Sequence, residues 1–413
     1  MKVWAEETLG ELCSLITDGK HGDCRNEDNS GYYFISCKDV REGRIHYENS
    51  RQIVHGDFAE THRRTDLGPG DVLLTNSGTI GRLAIAPDDE KTQRTTFQKS
   101  VAILKPLPER ISSHFLYYSL AANRARLINS AGGAAQKNLL LGELRRFTIR
   151  VPPLVEQAKI ASILSAYDDL IENNRRRIQL LEQAARLLYK EWFVHLRFPG
   201  HEHVTITDGV PEGWTVRRLS DLATKVGSGA TPRGGAAAYQ SKGITLIRSM
   251  NIYDYRFEDE GLAYINDDQA EKLSAVSVEP LDILLNITGA SVARCCMVPE
   301  RHLPARVNQH VMIIRIEPNE CGSNYVLNSI NSHQQKQKLL SIAKAGGATR
   351  EALTKDVVQN ISLPVPALHL LDQFEETAGR LFDQCQLLAA QNSQLAKARD
   401  LLLPRLMNGE VAV

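Results

Sequence analysis

The sequence predicts an α+β protein with two similar globular α/β parts, joined by two long helices that form an antiparallel coiled coil with pseudo-twofold symmetry. Two observations support this prediction. The chain of 413 residues repeats itself once, with a period near half its length. Each repeat also ends in a long stretch whose apolar residues step by threes and fours, as in a coiled-coil seam. A repeat fixes the number of structural units, so it is considered before any single element.

The repeat keeps its order along the whole chain. Its matching segments are Trp4, Leu9, Leu12 and Gly19 with Trp214, Leu219, Leu222 and Gly229; 35–40 with 247–252; 71–74, Gly78 and Gln98 with 282–285, Gly289 and Gln309; 131–134 with 345–348; and 151–154 with 365–368. Chance matches would not preserve this order. We therefore expect a first globular domain over 1–152, a first long coiled-coil helix (spacer) and linker over 153–197, a second globular domain over 198–366, and a second long helix and tail over 367–413.

The globular parts read as short strands and helices. Residues 71–86 and 101–104, with 282–298 and 311–316 in the second repeat, are β-rich runs broken by Gly, Pro and Asn, which predicts strands and turns. A helix is expected over 113–128 and again over 323–344, each before a Gly-Gly loop.

The long helices follow prolines, which are tolerated at a helix start. Their predicted seams are Ile160, Ile163, Tyr167, Leu170, Asn174, Ile178, Leu181, Ala185, Leu188 and Trp192, and Phe374, Ala378, Leu381, Cys385, Leu388, Asn392, Leu395, Leu402 and Leu406. Two matched seams in one chain can satisfy each other, so an intramolecular hairpin is favoured, with a dimer seam as the alternative. Level ends would place Asn174 opposite Asn392, whereas a shift by one heptad would place each at solvent or a backbone group.

Composition excludes several classes of protein. Lys plus Arg equals Asp plus Glu at 49 each, so no global basic field indicates nucleic acid. No apolar run approaches the ~18 residues of a membrane span, and the start lacks the apolar core of a signal peptide, so we expect a cytoplasmic protein without a membrane partner. Seven cysteines without a C-x-x-C pair argue against a disulfide framework and a zinc site. They read as buried or idle thiols.

No catalytic motif stands out. The acidic run Pro87-Asp88-Asp89-Glu90-Lys91 looks like a nuclease motif, but a metal-dependent nuclease needs carboxylates from separate elements, and this run lies in one expected turn. Neither nucleotide-binding loop pattern follows a strand, and no Asn-Pro-Pro-Tyr-like string is present. We expect no catalytic residue, metal or cofactor in this chain.

Four motifs carry a family resemblance. They are Val151-Pro152-Pro153-Leu154-Val155-Glu156-Gln157 before the first long helix; Glu191-Trp192-Phe193-Val194 with Phe198-Pro199-Gly200; Pro211-Glu212-Gly213-Trp214; and the tail 402–410, reading Leu-Leu-Pro-Arg-Leu-Met-Asn-Gly-Glu. Together they resemble the specificity subunit of Type I restriction-modification enzymes, over essentially the whole chain. One departure is the start of the second helix, where extra residues precede Asp372-Gln373, the counterpart of Glu156-Gln157.

The resemblance implies a non-catalytic subunit whose two target recognition domains each read half of a split site in double-stranded DNA. It also implies that the helices set the separation of the domains and dock two methyltransferase (modification) subunits, and that two restriction (motor-nuclease) subunits join the complex. The assembled complex is expected to use S-adenosylmethionine, ATP and Mg²⁺.

The residues support a bipartite reader independently of the family. Two similar recognition parts joined by matched helices have the same twofold symmetry as duplex DNA. Rigid helices between the two parts would set the distance between the two half-sites. Loops that differ between the repeats predict an asymmetric site. A coiled-coil adaptor or structural protein without a DNA role is the alternative, and DNA retention together with a methyltransferase partner separates the two.

Candidate DNA contacts lie on loops that recur in both repeats, because base readout needs amide, hydroxyl or cationic side chains on loops. Each loop could equally be a solvated turn, and the strand loops 75–79 and 286–290 could simply build turns. The candidates are Lys20, His21, Lys38, Gln136, Lys137, Asn138, Thr231, Arg233, Arg248, Asn251 and Arg350.

Overall fold

The computed structural model describes residues 4–132, 137–345, 351–411 and 413. The chain forms two compact units, the first from residues 1–173 and 391–413 and the second from residues 174–390. The predicted α+β class is confirmed. Because the unit boundary falls inside both long helices, the compact units do not coincide with the four predicted segments, and that division stays a prediction.

The first unit contains short strands, short helices and parts of both long helices. Its strands are Ala5–Thr8, Cys13–Asp18, Tyr33–Ile35, Val40–Arg41, Arg44–Ile45, Arg51–Gln52, Val72–Thr75, Leu83–Ile85, Thr95–Phe97, Val101–Pro106 and Thr148–Val151. Its short helices are Leu9–Leu12, His55–Thr65, Glu90–Gln93, Ser113–Ala122, Arg124–Asn129 and Leu141–Arg146.

The second unit repeats this inventory with local changes. Its strands are Ile206–Thr207, Val210–Pro211, Thr215–Arg218, Ala223–Ser228, Ile244–Ile247, Ala263–Ile265, Ser277–Val278, Ile283–Asn286, Cys295–Met297, Ala305–Val307, Val311–Ile316 and Ser362–Val365. Its short α-helices are Leu219–Leu222, Asp267–Lys272, Ser323–Asn331, His333–Ala345 and Lys355–Gln359.

Each unit is built on an antiparallel four-stranded sheet, and the two sheets have the same topology. In the first unit the spatial order is Cys13–Asp18, Val101–Pro106, Val72–Thr75 and Leu83–Ile85. In the second it is Ala223–Ser228, Val311–Ile316, Ile283–Asn286 and Cys295–Met297. A second sheet accompanies each, three-stranded in the first unit and four-stranded in the second, and in both units one of its strand pairs is parallel: Tyr33–Ile35 with Thr95–Phe97, and Ile244–Ile247 with Ala305–Val307. The sequence repeat is therefore a repeat of topology.

The main sheet of each unit is buried on both faces, which explains its continuous apolar strands. In the first unit Leu73 and Ile103 face one core, and Val72 and Leu104 face another. That second core also contains Ile160, Leu164 and Leu406 from the two long helices. In the second unit the corresponding core contains Tyr189, Phe193 and Phe374. Each unit thus anchors a part of both long helices within its own core.

The long helices are Leu154–Tyr189, which continues as a π-helical turn over Lys190–Val194, and Leu368–Met407. Their stretches run antiparallel within each unit. In the first unit Asp168 accepts a hydrogen bond from Arg399, and the Ile171 carbonyl accepts one from Asn392 at 3.1 Å. In the second, Cys385 Sγ lies 3.8 Å from the Ile178 carbonyl, and the rings of Tyr189 and Phe374 lie 6.2 Å apart. Pairing of Asn174 with Asn392 stays a prediction.

The predicted seam of the first helix is wrong in its first turns. Ile163 and Leu170 are exposed, whereas Leu164 and Ile171 are buried. The buried face steps from Ile160 by four residues and then by three, and the prediction used the opposite order. Both orders satisfy a heptad, so only packing decides the phase.

Three further expectations are resolved by the structure. The helices expected over 113–128 and 323–344 are each two helices, broken at Asn123 and Ser332. The acidic run is a helix cap, because Asp89 accepts a hydrogen bond from the backbone N–H of Thr92 at 2.8 Å. All seven cysteines are free, and six of them are buried.

The start of the second long helix departs from the first in a defined way. In the first unit Gln157 accepts a hydrogen bond from the Ser112 backbone N–H at 3.0 Å, next to the start of helix Ser113–Ala122. In the second unit Glu375 has this role, accepting from the backbone N–H groups of Asn324 and Tyr325 at 3.2 and 2.7 Å. Gln373, the sequence counterpart of Gln157, is exposed and does not have this structural role, which belongs to Glu375.

Candidate nucleic-acid interface

In the first unit, a short segment gathers the predicted loops at one end of the main sheet. Residues 97–100, here called the first hub segment, run from the last residue of strand Thr95–Phe97 to the start of strand Val101–Pro106. The Phe97 carbonyl accepts from Lys20 N–H at 2.8 Å, and Gln98 N–H donates to the Ile35 carbonyl at 2.9 Å. The Ser100 carbonyl accepts from Asn76 N–H at 3.1 Å.

The hub segment also reaches the remaining predicted loops. Ser100 Oγ accepts a hydrogen bond from Cys37 N–H at 3.2 Å. Asn76 links the loop 75–79 to the loop 137–139, because its carbonyl accepts a hydrogen bond from Leu139 N–H at 2.8 Å. The loops 18–22, 36–39, 75–79 and 137–139, distant in sequence, are therefore neighbours.

The second unit repeats this arrangement around residues 307–310, here called the second hub segment. Ala230 N–H donates to the Val307 carbonyl at 3.1 Å, and Asn308 N–H donates to the Ile247 carbonyl at 3.0 Å. Ile287 N–H donates to the His310 carbonyl at 3.0 Å, and the Ile287 carbonyl accepts from Leu353 N–H at 2.8 Å. Each unit thus presents four loops on a hydrogen-bonded platform of its own.

Two glycines make the platforms possible. A Cβ atom on Gly19 would lie 1.8 Å from the Phe97 carbonyl oxygen, and one on Gly229 would lie 2.2 Å from the Val307 carbonyl oxygen. No side chain fits at such distances, so only glycine lets the loops 18–22 and 229–233 cross their hub segments. This explains physically why Gly19 recurs as Gly229.

The hub segments correct one match of the sequence repeat. Gln98 was matched with Gln309. However, Gln98 N–H bonds to Ile35 as Asn308 N–H bonds to Ile247, and Val101 and Val311 donate back to Gln98 and Asn308. Gln98 therefore corresponds to Asn308, and Lys99 corresponds to Gln309. The sequence alignment was wrong by one residue here because it matched two glutamines by identity.

In the first unit, five of the six candidate residues lie in the described chain. Lys20 Nζ forms an ion pair with Glu60 at 3.0 Å, which raises the pKa of Lys20. His21 is exposed, with Nε2 3.0 Å from Asp18 Oδ2. Lys38, Lys137 and Asn138 are exposed, and the backbone of Asn138 pairs with Gly132. Gln136 lies outside the described residues.

The second unit places its candidates less uniformly. Thr231 and Arg233 are exposed. Arg248 is half-buried, its guanidinium donating to the Gly261 carbonyl and lying 5.3 Å from the Tyr239 ring centre. Asn251 has no exposed surface. Arg350 lies outside the described residues.

Asn251 holds its own loop. Its Oδ1 accepts from Arg248 N–H at 3.1 Å, and its Nδ2 donates to the carbonyls of Glu258 and Glu260 at 3.0 and 3.2 Å. Asp39 caps the equivalent turn in the first unit by accepting from Ser36 N–H at 2.7 Å. Such turn-capping is the common role of Asp and Asn in loops, and a buried amide offers no group to a base edge.

Sequence reasoning missed cations beside both platforms. Arg82 donates to the Cys37 carbonyl at 3.3 Å, and its counterpart Arg294 lies 4.6 Å from the Tyr253 ring centre. Their equivalence follows from backbone bonds, since the Arg82 carbonyl accepts from Thr75 N–H and the Arg294 carbonyl from Asn286 N–H. The sequence did contain a signal for these two residues, because an arginine follows the strand loop at the equivalent position of both repeats. Lys99 was missed because its counterpart is not a cation.

Across 4–132, 137–345, 351–411 and 413, no cluster of three or more His, Cys, Asp or Glu is arranged to hold a metal. No helix in the described part of the chain is long and apolar enough to cross a membrane. The duplicated scaffold presents loops from two equivalent sheets, and each unit packs against a stretch of both long helices, which is an architecture suited to recognition.

The comparisons with known proteins show which proteins this chain resembles. Residues 1–183 match the family described as Type I restriction modification DNA specificity domain. The MjaIX specificity subunit of a Type I restriction enzyme from Methanocaldococcus jannaschii is 28% identical over 352 residues, covering 83% of this chain and 78% of the relative. The HindI specificity subunit from Haemophilus influenzae is 20% identical over 479 residues and covers 100% of both chains.

A solved structure shows the same fold. The Type I restriction-modification S subunit from M. genitalium superimposes with a TM-score of 0.59 at 15% identity, covering 98% of this chain and 96% of that one. The resemblance stated from the motifs is thus confirmed: the chain is similar in sequence and fold to specificity subunits of Type I restriction-modification enzymes.

Proposed function

We propose that this chain is the sequence-specific DNA-recognition subunit of a Type I restriction-modification enzyme and that it reads an asymmetric bipartite site, one half with each unit. The observation that carries the proposal is the pair of equivalent hub platforms with different side chains. Equal scaffolds place equivalent loops against DNA, and different side chains on them select different bases. The chain itself has no catalytic role in this proposal.

Charge balance supports a role that needs partners. The chain carries 49 cationic and 49 acidic side chains, so it has few cations to spare for phosphates. We expect weak DNA binding by the isolated chain and specific binding in complex with methyltransferase subunits, with restriction subunits completing the enzyme. S-adenosylmethionine, ATP and Mg²⁺ would be used by those partners.

The long helices carry apolar side chains outside the seam, which supports docking of protein partners. In the second unit Leu180, Leu187 and Leu387 are more than half exposed. Exposed leucines along a helix are typical of protein interfaces. Replacing Leu180 and Leu187 by Lys should abolish co-purification with the methyltransferase subunit. Replacing the exposed Gln179 by Lys adds one of these two charges without removing a leucine and should leave co-purification intact.

The principal experiment is to co-express the chain with its methyltransferase subunit and to read the methylated motif by modification-sensitive sequencing. We expect two short specific blocks separated by an unspecific gap. Exchanging residues 198–366 for those of a relative should change one block only. Absence of any chain-dependent motif, with no DNA retained by the complex, would favour the adaptor without a DNA role.

The gap between the blocks provides a second test. Inserting seven residues into each long helix preserves the seam and adds about 10 Å, which corresponds to about three base pairs. We expect the gap to widen accordingly while both specific blocks stay unchanged. The matched control inserts seven residues in the exposed turn at Asp208–Gly209, where the gap should not change. An unchanged gap after the helix insertion would mean that the helices do not set the spacing.

A further inference from the structure

A polar network in the second unit fixes one exposed amide across three loops. Thr231 Oγ1 donates a hydrogen bond to Gln309 Oε1. Gln309 Nε2 lies 3.2 Å from His310 Nε2, and His310 Nδ1 lies 2.6 Å from Thr288 Oγ1. Thr231 belongs to the loop 229–233, Thr288 to the strand loop 286–290, and the other two residues to the second hub segment.

The network determines what Gln309 still offers. Its amide nitrogen can only donate, so the facing His310 Nε2 is the acceptor, and Nδ1 carries the ring proton toward Thr288. After these contacts Gln309 retains one N–H and one oxygen lone pair. Its side chain is exposed. A fixed, exposed amide with one free donor and one free acceptor matches the N7 acceptor and N6 donor of adenine in the major groove.

The equivalent position in the first unit carries a lysine. Lys99 is exposed, and in the described part of the chain its ammonium group has no ion-pair partner. Its backbone N–H donates to the Lys20 carbonyl at 3.0 Å, which fixes the chain at this point. An ammonium group at such a position matches the paired O6 and N7 acceptors of guanine.

We propose that Lys99 and Gln309 are equivalent base readers, Lys99 selecting guanine in the half-site of the first unit and Gln309 selecting adenine in that of the second. Thr231 and His310 are positioning residues for Gln309. The inference rests on the proposed function, because it assumes that each hub platform faces DNA. It explains how one scaffold reads two different half-sites.

The test exchanges the two side chains. Each variant is expressed with the methyltransferase subunit, and the methylated motif is compared with that of the unaltered complex. Gln309→Lys should change one A·T pair to G·C in one block, and Lys99→Gln should change one G·C pair to A·T in the other block. Each variant serves as the control for the half that it does not alter. Gln240→Lys, another exposed Gln-to-Lys change in the second unit, should leave both blocks unchanged.

Alanine variants decide the outcome if an exchange abolishes methylation. With oligonucleotides varied at each position, Gln309→Ala should lower discrimination at a single base pair by about 5- to 150-fold, the range of one bidentate contact. Thr231→Val should weaken the same discrimination without changing the preferred base. A uniform loss of affinity over all sequences would identify a phosphate contact and overturn the proposal, as would full retention of discrimination.

These outcomes are distinct from failure of the proposed function. If the unaltered complex confers no motif, DNA recognition itself fails. If it confers a bipartite motif that Gln309→Lys, Lys99→Gln and Gln309→Ala all leave unchanged, recognition stands and the base-reading role of Lys99 and Gln309 is wrong.

Discussion

The carboxylate of Asp282 accepts two hydrogen bonds from the guanidinium group of Arg315, at 2.8 Å from Nε and 2.9 Å from Nη2. Asp282 has no exposed side-chain surface. The equivalent pair in the first unit is Asp71 with Lys105, whose Nζ lies 2.7 Å from Oδ2. Both pairs join the central strand of the main sheet to the turn that precedes its neighbouring strand. The repeat therefore conserves an ion pair while changing the cation.

Replacing Arg315 by Leu should destabilise the second unit by about 3–5 kcal/mol, because it leaves the buried Asp282 carboxylate without its partner. Urea unfolding followed by circular dichroism measures the change. Arg315→Lys is the matched control and should lose much less, since lysine serves in the first unit. Equal losses for Leu and Lys would show that the cationic charge is not what stabilises this site.

Gly19→Ala and Gly229→Ala should each disrupt one hub platform, because the added Cβ would overlap a backbone carbonyl oxygen. We expect a loss of at least about 1–3 kcal/mol in the altered unit, together with loss of recognition of one half-site. Thermal unfolding and the methylated motif report the two effects. Gly22→Ala and Gly227→Ala are matched controls, since a Cβ there meets nothing within 4 Å. If the two control variants lost as much stability and recognition, the overlap of the added Cβ with the hub carbonyl would not be the cause.

Cys37 should be the only thiol that alkylates readily in the folded protein. Burial raises the pKa of Cys13, Cys295, Cys321 and Cys385 to about 12, so these thiols supply almost no reactive thiolate at neutral pH. Cys37 is half-buried and adjoins the first hub segment. Mass spectrometry should find one rapid label on the native chain and seven after denaturation.

Specific DNA should also protect Cys37 from alkylation in the complex with the methyltransferase subunit. DNA lacking the recognised motif provides the control and should protect weakly. Unchanged labelling in the presence of specific DNA would place the first hub segment away from the duplex.

Asp57 should titrate far below an ordinary aspartate. Hydrogen bonds from the side chain and backbone of Arg25 lower the pKa of Asp57 from 3.8 to about 2. Since the folded pKa is the lower one, this contribution to stability is complete above about pH 4 and is lost as the pH falls toward 2. In Arg25→Ala the Asp57 pKa, followed by NMR of the carboxyl carbon, should return toward its ordinary value. A value that stays near 2 would assign the shift to another group.

The sequence by itself determined the α+β class, the repeat, the two long helices and the family resemblance. These properties follow from the order and spacing of apolar residues, glycines and prolines along the chain, which the sequence records directly. The exposed loop candidates Lys38, Lys137, Thr231 and Arg233 could also be found this way, because polar residues between strands are mostly exposed.

Tertiary structure alone decided which of these residues meet and how. Whether Leu164 or Ile163 faces the core depends on packing, since both satisfy the heptad. Asn251 is buried because its amide completes a turn. Lys99 is the counterpart of Gln309 because backbone hydrogen bonds, rather than residue identity, align the repeats. Hydrogen bonds between segments far apart in the chain depend on strand register and loop crossing, which no local pattern of residues records.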